Sequence, residues 1–189
     1  MVNKDQSIIG KSRIVGISGY ARSGKDTAFL AIKDILEEKN IERIAFADAL
    51  KLECLDFLRK NTGISTFTSV DSEKEIIRPF LVAYGTNVRR KLDPRCWIKV
   101  IDEKIKSKQK TDLFVITDTR YQNEAEWIKE NGGILINIER EGIDAANQEE
   151  REQGPILKSM SDVSIKMPTF RENYKEKCKS IIKETIKLC

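Results

Sequence analysis

Gly19-Tyr20-Ala21-Arg22-Ser23-Gly24-Lys25-Asp26-Thr27 follows directly on the apolar run Ile14-Val15-Gly16-Ile17, and its spacing is that of a loop that holds phosphate. The pattern G-x-x-x-x-G-K-[ST] is matched up to its last position, where Asp26 replaces a hydroxyl residue and Thr27 follows. The glycines let backbone N–H groups close around phosphate oxygens, and Lys25 is long enough to reach the β and γ phosphates. A helix starting there aims the positive end of its dipole at the same anion. Arg22 adds a cation that most such loops lack. In the usual loop the hydroxyl after the lysine ligates magnesium. Here Asp26 can hold the ion or its water shell, or Thr27 can take over the metal or phosphate contact, or Asp26 is a helix-start residue that merely suits the dipole.

A second group of candidates lies further along. Asp118 closes the apolar run Leu113-Phe114-Val115-Ile116-Thr117, and Arg120 follows two residues later, with Asn123 and Glu124 at the next helix start. A carboxylate beside a guanidinium suits a site holding both a metal and an anion, or else forms a surface salt bridge. Arg78, Gly85 and Arg89 are spaced by seven and four residues, which puts them on one helix stripe with room over the glycine for a phosphate or base. Trp97 can stack on a base or fill a half-buried core position. Arg140 and Arg151 flank a polar stretch, 141–155, that reads as a closing lid, with Arg140 the better placed to act on a transferring phosphoryl group. The chain has no histidine, so carboxylates, lysines, arginines, hydroxyls or a metal must carry any chemistry. Phosphoryl transfer fits, because it rests on positioning and charge neutralisation.

These residues need a scaffold, and the hydrophobic pattern supplies one. Strands are expected at 13–18, 43–47, 113–117, 134–138 and near 162–166. Helices are expected at 25–39, at 49–60 with Asp48 as its cap, at 73–91, from Pro94 to about 108, at 122–131 and at 170–187. Asn131-Gly132-Gly133 stops the fifth of these, and Tyr174, Cys178, Ile181, Thr185 and Leu188 share one face of the last. Residues 62–72 read as a loop. Alternating strands and helices predict a three-layer α/β/α domain around a mainly parallel sheet, a single P-loop domain over 1–189. Ligands then lie outside the carboxyl ends of the strands, where Gly19, Ala47-Asp48, Asp118 and Glu139-Arg140 fall.

Composition sets the outer bounds. The 189 residues are 40% hydrophobic and 34% charged, with 34 basic and 30 acidic side chains and a net charge of +4. That is one globular domain without the concentrated basic field of a nucleic-acid binder. Lys104-Ile105-Lys106-Ser107-Lys108-Gln109-Lys110 reads as the solvated end of a helix. The four cysteines show no C-x-x-C spacing, which argues against a metal site or disulfide framework and for reduced thiols. No apolar run approaches the ~20 residues of a membrane span, and the first eleven residues lack a secretion signal's apolar core. A cytoplasmic protein is expected.

Ser18-Gly19 with Arg22 to Thr27, then Phe46-Ala47-Asp48-Ala49-Leu50-Lys51, then Ile116 to Glu124, occur in the order that resembles the bacteriophage-type deoxynucleoside monophosphate kinases. Tyr84-Gly85-Thr86, Arg89, Trp97, Gly132-Gly133 and Ile138-Glu139-Arg140 extend the resemblance over most of 13–140. It implies a nucleoside monophosphate kinase-like fold with a lid, and transfer of the ATP γ-phosphoryl group, with magnesium, to a deoxynucleoside monophosphate. On that resemblance Gly19, Arg22, Ser23, Gly24, Lys25, Asp26 and Thr27 hold ATP phosphates, and Asp26, Thr27 and Asp118 serve the metal. Asp48, Lys51, Arg78, Gly85, Arg89, Trp97, Asn123 and Glu124 form the acceptor side. Lys25, Asp118, Arg120 and Arg140 act on the transfer itself. A cytoplasmic homodimer, in the host cell if the source is viral, is also implied. Animal-type phosphomevalonate kinases share a related Ser-Gly-Lys-Asp loop and a Pro-Leu-Lys element resembling Ala49-Leu50-Lys51. Dephospho-coenzyme A kinases are more distant, and a nucleotide-binding module without turnover is the non-enzymatic alternative.

Overall fold

A computed structural model describes Ile9, residues 12–169 and residues 173–187. The elements are β1 (Ile14–Ser18), α1 (Lys25–Ile35), β2 (Ile41–Ile44), α2 (Phe46–Thr62) and α3 (Asp71–Val82), which runs on into a π-helical stretch (Ala83–Arg90). There follow α4 (Cys96–Ser107), β3 (Leu113–Ile116), α5 (Gln122–Glu130), β4 (Ile134–Arg140), α6 (Gln148–Met160), β5 (Val163–Met167) and α7 (Tyr174–Lys187). They fall into two compact units, residues 45–107 and the remainder.

The larger unit is an all-parallel sheet in the order β2-β3-β1-β4-β5. Side chains alternate across it. Val15, Ile17, Val115, Ile136, Ile138 and Ile165 point to one face, where Ala28, Ala31 and Ile32 of α1 and Cys178 and Ile182 of α7 cover them. Each such isoleucine contributes about 1.5–3 kcal/mol on burial. On the other face Ile128 of α5 packs over Gly16, so closely that a Cβ there would lie 2.5 Å from Ile128 Cδ1. α6 lies beside α5, joined through Gln153 to the Gln122 amide at 3.0 Å. The result is the expected three-layer α/β/α arrangement. The chain leaves the neighbouring strands β1 and β3 for helices on opposite faces, which opens a crevice at their carboxyl ends.

The smaller unit is helical, with a core of Cys54, Leu58 and Ile77 edged by Leu50, Ile64, Leu81 and Tyr84. Pro79 sits inside α3, where its missing N–H leaves the Glu75 carbonyl without its usual helix partner. Both residues are exposed, so water can satisfy that carbonyl.

Several boundaries differ from expectation. α1 ends at Ile35. Phe46 and Ala47 belong to α2, so Asp48 is a first-turn residue and extended Ala45 occupies the cap position. Pro94 lies in the turn before α4. The largest correction is at 141–155: only 141–147 is a loop, and α6 begins at Gln148. Asn147 Oδ1 accepts the Glu150 N–H at 2.8 Å, an N-cap that Gly154-Pro155 obscures in the sequence. Pro155 is tolerated because it and Arg151, whose carbonyl loses its partner, are exposed. Cys54, Cys96 and Cys178 are separate buried thiols, while Cys189 and Leu188 lie outside the described residues. No helix among the described residues is long and apolar enough to cross a membrane.

Candidate active site

The loop between β1 and α1 has the backbone its sequence requires. Gly19 has φ 136°, Gly24 φ 106° and Arg22 φ 66°, three positive values within six residues that bend the chain around its own amides. A side chain at Gly19 would meet the Ile138 carbonyl oxygen at 2.3 Å. Lys25 turns back over this loop, and its Nζ donates to the carbonyls of Gly19 and Tyr20, both at 2.7 Å. Burial lowers its pKa to about 8, assisted by Arg120 and opposed by Glu150, Asp26 and Asp118. Those four charged groups therefore lie near enough to Lys25 to act on it. Ser23 Oγ is buried with no hydrogen-bond partner among the described residues, a hydroxyl left for a ligand. Arg22 and Asp26 are exposed, and Thr27 is half-buried.

After β3, the Thr119 N–H donates to the Ile17 carbonyl at 3.1 Å, tying the Asp118 turn to the end of β1. Asp118 is half-buried and Arg120 exposed. Glu124 corrects the sequence reading. Its side chain is 1% exposed, and Oε2 accepts the N–H groups of Arg120 at 2.8 Å and Tyr121 at 3.1 Å. It caps α5 and fixes the turn carrying Asp118 and Arg120, so no face of it is open to an acceptor. Asn123 is half-buried in the first turn of the same helix.

Arg140 also stands elsewhere than on a lid. It is 6% exposed at the end of β4, with its guanidinium carbon 5.9 Å from the Tyr174 ring centroid. A Cβ on Gly24 would lie 2.6 Å from its Nη2. The charge therefore sits beneath the phosphate loop, and the missing side chain at 24 makes room for it. Arg151 is exposed on α6.

Glu150 is the functional residue that motif reading missed. Its two carboxylate oxygens accept the Ala21 N–H at 3.1 and 3.2 Å, and Oε2 also accepts the Ala146 N–H at 3.1 Å. Glu149 meets the Tyr121 hydroxyl, and Gly154 lets the Tyr20 ring approach. The first turns of α6 are thus docked on the phosphate loop. Asn147 with Glu150 three residues on is the helix-start signal that would have revealed them.

In the helical unit, Asp48 and Lys51 are half-buried on α2 and Arg78 is exposed on α3. Lys51 Nζ lies 5.5 Å from the Phe67 ring centroid. Gly85 corrects the sequence reading, and Trp97 takes the core alternative of its two readings rather than the acceptor contact that the resemblance implies. The space over Gly85 is filled by Leu50, whose Cδ2 would be 2.6 Å from a Cβ there. Trp97 is 2% exposed and carries Arg89 over its ring at 5.5 Å, which leaves no face for a base. Arg89 Nε is 2.9 Å from Glu53 Oε1, and its Nη2 donates to Oε2 at 3.2 Å.

No group of three or more Cys, Asp or Glu side chains that could by itself hold a metal ion occurs among the described residues. Asp26, Thr27 and Asp118 supply isolated oxygens next to a phosphate loop. That donor set fits magnesium, which is bound through one or two carboxylates together with phosphates and water rather than in an all-protein cage.

The chain is similar to several known proteins. The sequence model of the phosphomevalonate kinase family matches residues 17–133. A protein of Acanthamoeba polyphaga mimivirus, provisionally described as a deoxynucleotide monophosphate kinase, is 29% identical over 187 residues, covering 86% of this chain and 93% of its own. A dephospho-CoA kinase structure from Campylobacter jejuni is similar with a TM-score of 0.49 and 18% identity over 93% of this chain and 98% of its own. A shikimate kinase from Acinetobacter baumannii in complex with shikimate gives 0.48 and 12% over 92% and 93%.

Proposed function

This chain belongs to the phosphomevalonate kinase family, and we propose that this P-loop kinase transfers the γ-phosphoryl group of ATP to a deoxynucleoside monophosphate. The observation that carries the acceptor is the likeness to the mimivirus protein, which spans 86% of the chain, whereas the family match stops at residue 133. The phosphate loop, with Lys25 held in it, supports the donor.

No general base is needed. An acceptor phosphate is already an anionic nucleophile, so one of its oxygens forms the new bond to Pγ as the bond from Pγ to the ADP oxygen breaks. The chain has to bring two anions together, neutralise them and align them. Gly19 to Thr27 bind the donor phosphates through backbone N–H groups, and Ser23 supplies its unpartnered hydroxyl. Lys25 exchanges its two carbonyl partners for phosphate oxygens. Arg120, fixed at its backbone by Glu124, neutralises charge on the transferring group, and Arg140 adds positive potential from beneath the loop. Asp26, Thr27 and Asp118 would hold magnesium, which would supply neutralisation of phosphate charge. Asp48, Lys51, Arg78 and Arg89 are assigned to the acceptor, with Asn123 beside the Asp118 turn. Trp97 serves through Arg89.

The family match favours a second acceptor, phosphomevalonate, which presents the same nucleophile, a phosphate monoester oxygen. A coupled ADP-release assay with dGMP, dTMP, dCMP, dAMP and phosphomevalonate separates the two. Turnover with at least one deoxynucleotide is expected, and turnover with phosphomevalonate alone would refute the proposal.

A further inference from the structure

Glu53 lies on α2 just beyond Ala49-Leu50-Lys51, and its carboxylate is the meeting point of two side chains, Arg89 and Tyr84. Arg89 Nη2 donates to Oε2 at 3.2 Å, and Nε lies 2.9 Å from Oε1 as an ion-pair contact. The Tyr84 hydroxyl donates to Oε1. The Arg89 guanidinium carbon is 5.5 Å from the Trp97 ring centroid, so the guanidinium is held from a second side.

The winding of the backbone makes this convergence possible. Tyr84 and Arg89 are five residues apart within the π-helical stretch Ala83–Arg90. At the ~100° per residue of an α-helix they would point ~140° apart and could not share one carboxylate. Under i→i+5 winding, residues five apart come closer to one face of the helix, and such turns recur at functional sites. One guanidinium nitrogen, Nη2, is hydrogen-bonded to Glu53, and Nε stands in ion-pair contact with it. Nη1 carries two further N–H donors, and an arginine held in this way loses little conformational freedom when it binds an anion.

From this geometry we propose that Glu53 is a positioning residue: with Tyr84 it holds Arg89 so that the free end of the guanidinium meets the acceptor's phosphate. The inference rests on the assignment of Arg89 to the acceptor made above. A salt bridge that only staples α2 to the π-helical stretch would have the same distances, so the test must separate orientation from stability.

Steady-state kinetics on Glu53→Gln, Glu53→Ala, Tyr84→Phe, Arg89→Ala and the Glu53→Ala/Arg89→Ala double variant make that separation, using whichever of the four deoxynucleotides and phosphomevalonate the wild type phosphorylates best. Arg89→Ala is expected to raise the acceptor KM roughly 10–100-fold, the loss of a charge-assisted contact. Glu53→Ala should raise the acceptor KM several-fold while the ATP KM stays within about twofold, and the double variant should be no worse than Arg89→Ala alone. Glu53→Gln, which keeps shape and one acceptor oxygen, should fall between, and Tyr84→Phe should shift in the same direction. If Arg89→Ala raises the acceptor KM but Glu53→Gln and Glu53→Ala do not, or if their effects add to it, the positioning role is refuted and the acceptor assignment stands. If Arg89→Ala leaves the acceptor KM unchanged, or the wild type phosphorylates none of the five, the assignment falls and the inference with it.

Discussion

Lys25 rests its ammonium group on the Gly19 and Tyr20 carbonyls, and burial with the nearby Arg120 lowers its pKa to about 8. The loop therefore holds a lysine whose charge is disfavoured by its surroundings, and anionic phosphate oxygens would favour it again. Because kcat/KM reports the free enzyme, kcat/KM for ATP should be level below pH 8 and fall about tenfold per pH unit above it. The limb in kcat should lie at higher pH, since bound phosphates favour the charged form. Lys25→Arg should remove the limb in kcat/KM, and a limb unchanged in that variant would assign it to another group. The linkage to stability has the same origin. The folded value lies below the unfolded 10.5, so between about 8 and 10.5 the unfolded chain holds more protons. This group alone then makes stability rise with pH across that window. Lys25→Ala is expected to lower kcat roughly 10²–10³-fold, as removal of a transition-state donor does. Activity near wild type would contradict its role.

Elements set what each motif residue can do, and here sequence and structure part company. Lys25, Asp118 and Arg120 were legible because a phosphate loop and an acidic strand end are fixed by local spacing. Glu124 was legible as a residue but not in its role: its buried carboxylate caps α5 instead of meeting an acceptor. Glu124→Ala should cost about 1–3 kcal/mol, read from the denaturant midpoint, because two N–H groups lose a charged acceptor. A midpoint unchanged from wild type would mean the cap does not hold the turn. Gly85 depends on a partner 35 positions back, Leu50, that no periodicity reveals. Gly85→Ala should therefore leave the acceptor KM within about twofold, its crowding of a mobile Leu methyl offset by a helix gain of about 1 kcal/mol. Gly19→Ala is the contrast, since its Cβ would strike a backbone carbonyl at φ 136°. ATP binding by calorimetry should then fall below detection. The π-helical turn was likewise invisible, because Tyr84 and Arg89 show their common face only under a winding the sequence does not announce.

At the scale of the whole molecule, the parallel order β2-β3-β1-β4-β5 brings Lys25, Asp118, Arg120 and the Arg140 guanidinium to the carboxyl ends of adjacent strands, though they are up to 115 residues apart in sequence. Alternating strands and helices made that class readable in advance. What was not readable is that 148–160 is a helix docked on the phosphate loop through Glu150, because Gly154-Pro155 reads locally as a break. Nucleotide binding should stabilise the fold as a whole: at 100 times its Kd, an ATP analogue with magnesium adds about 2.7 kcal/mol to unfolding. Less stabilisation is expected when EDTA is added, and an equal melting shift with and without EDTA would argue against a metal at Asp26, Thr27 and Asp118. The central claim is the identity of the acceptor, and following the γ-phosphoryl group itself tests it most directly. With ATP, magnesium and each of the four deoxynucleoside monophosphates in turn, phosphorus NMR should show the paired doublets of a deoxynucleoside diphosphate appearing with those of ADP, and none with Lys25→Ala. Inorganic phosphate and ADP as the only new signals, or transfer to phosphomevalonate and to no deoxynucleotide, would contradict it.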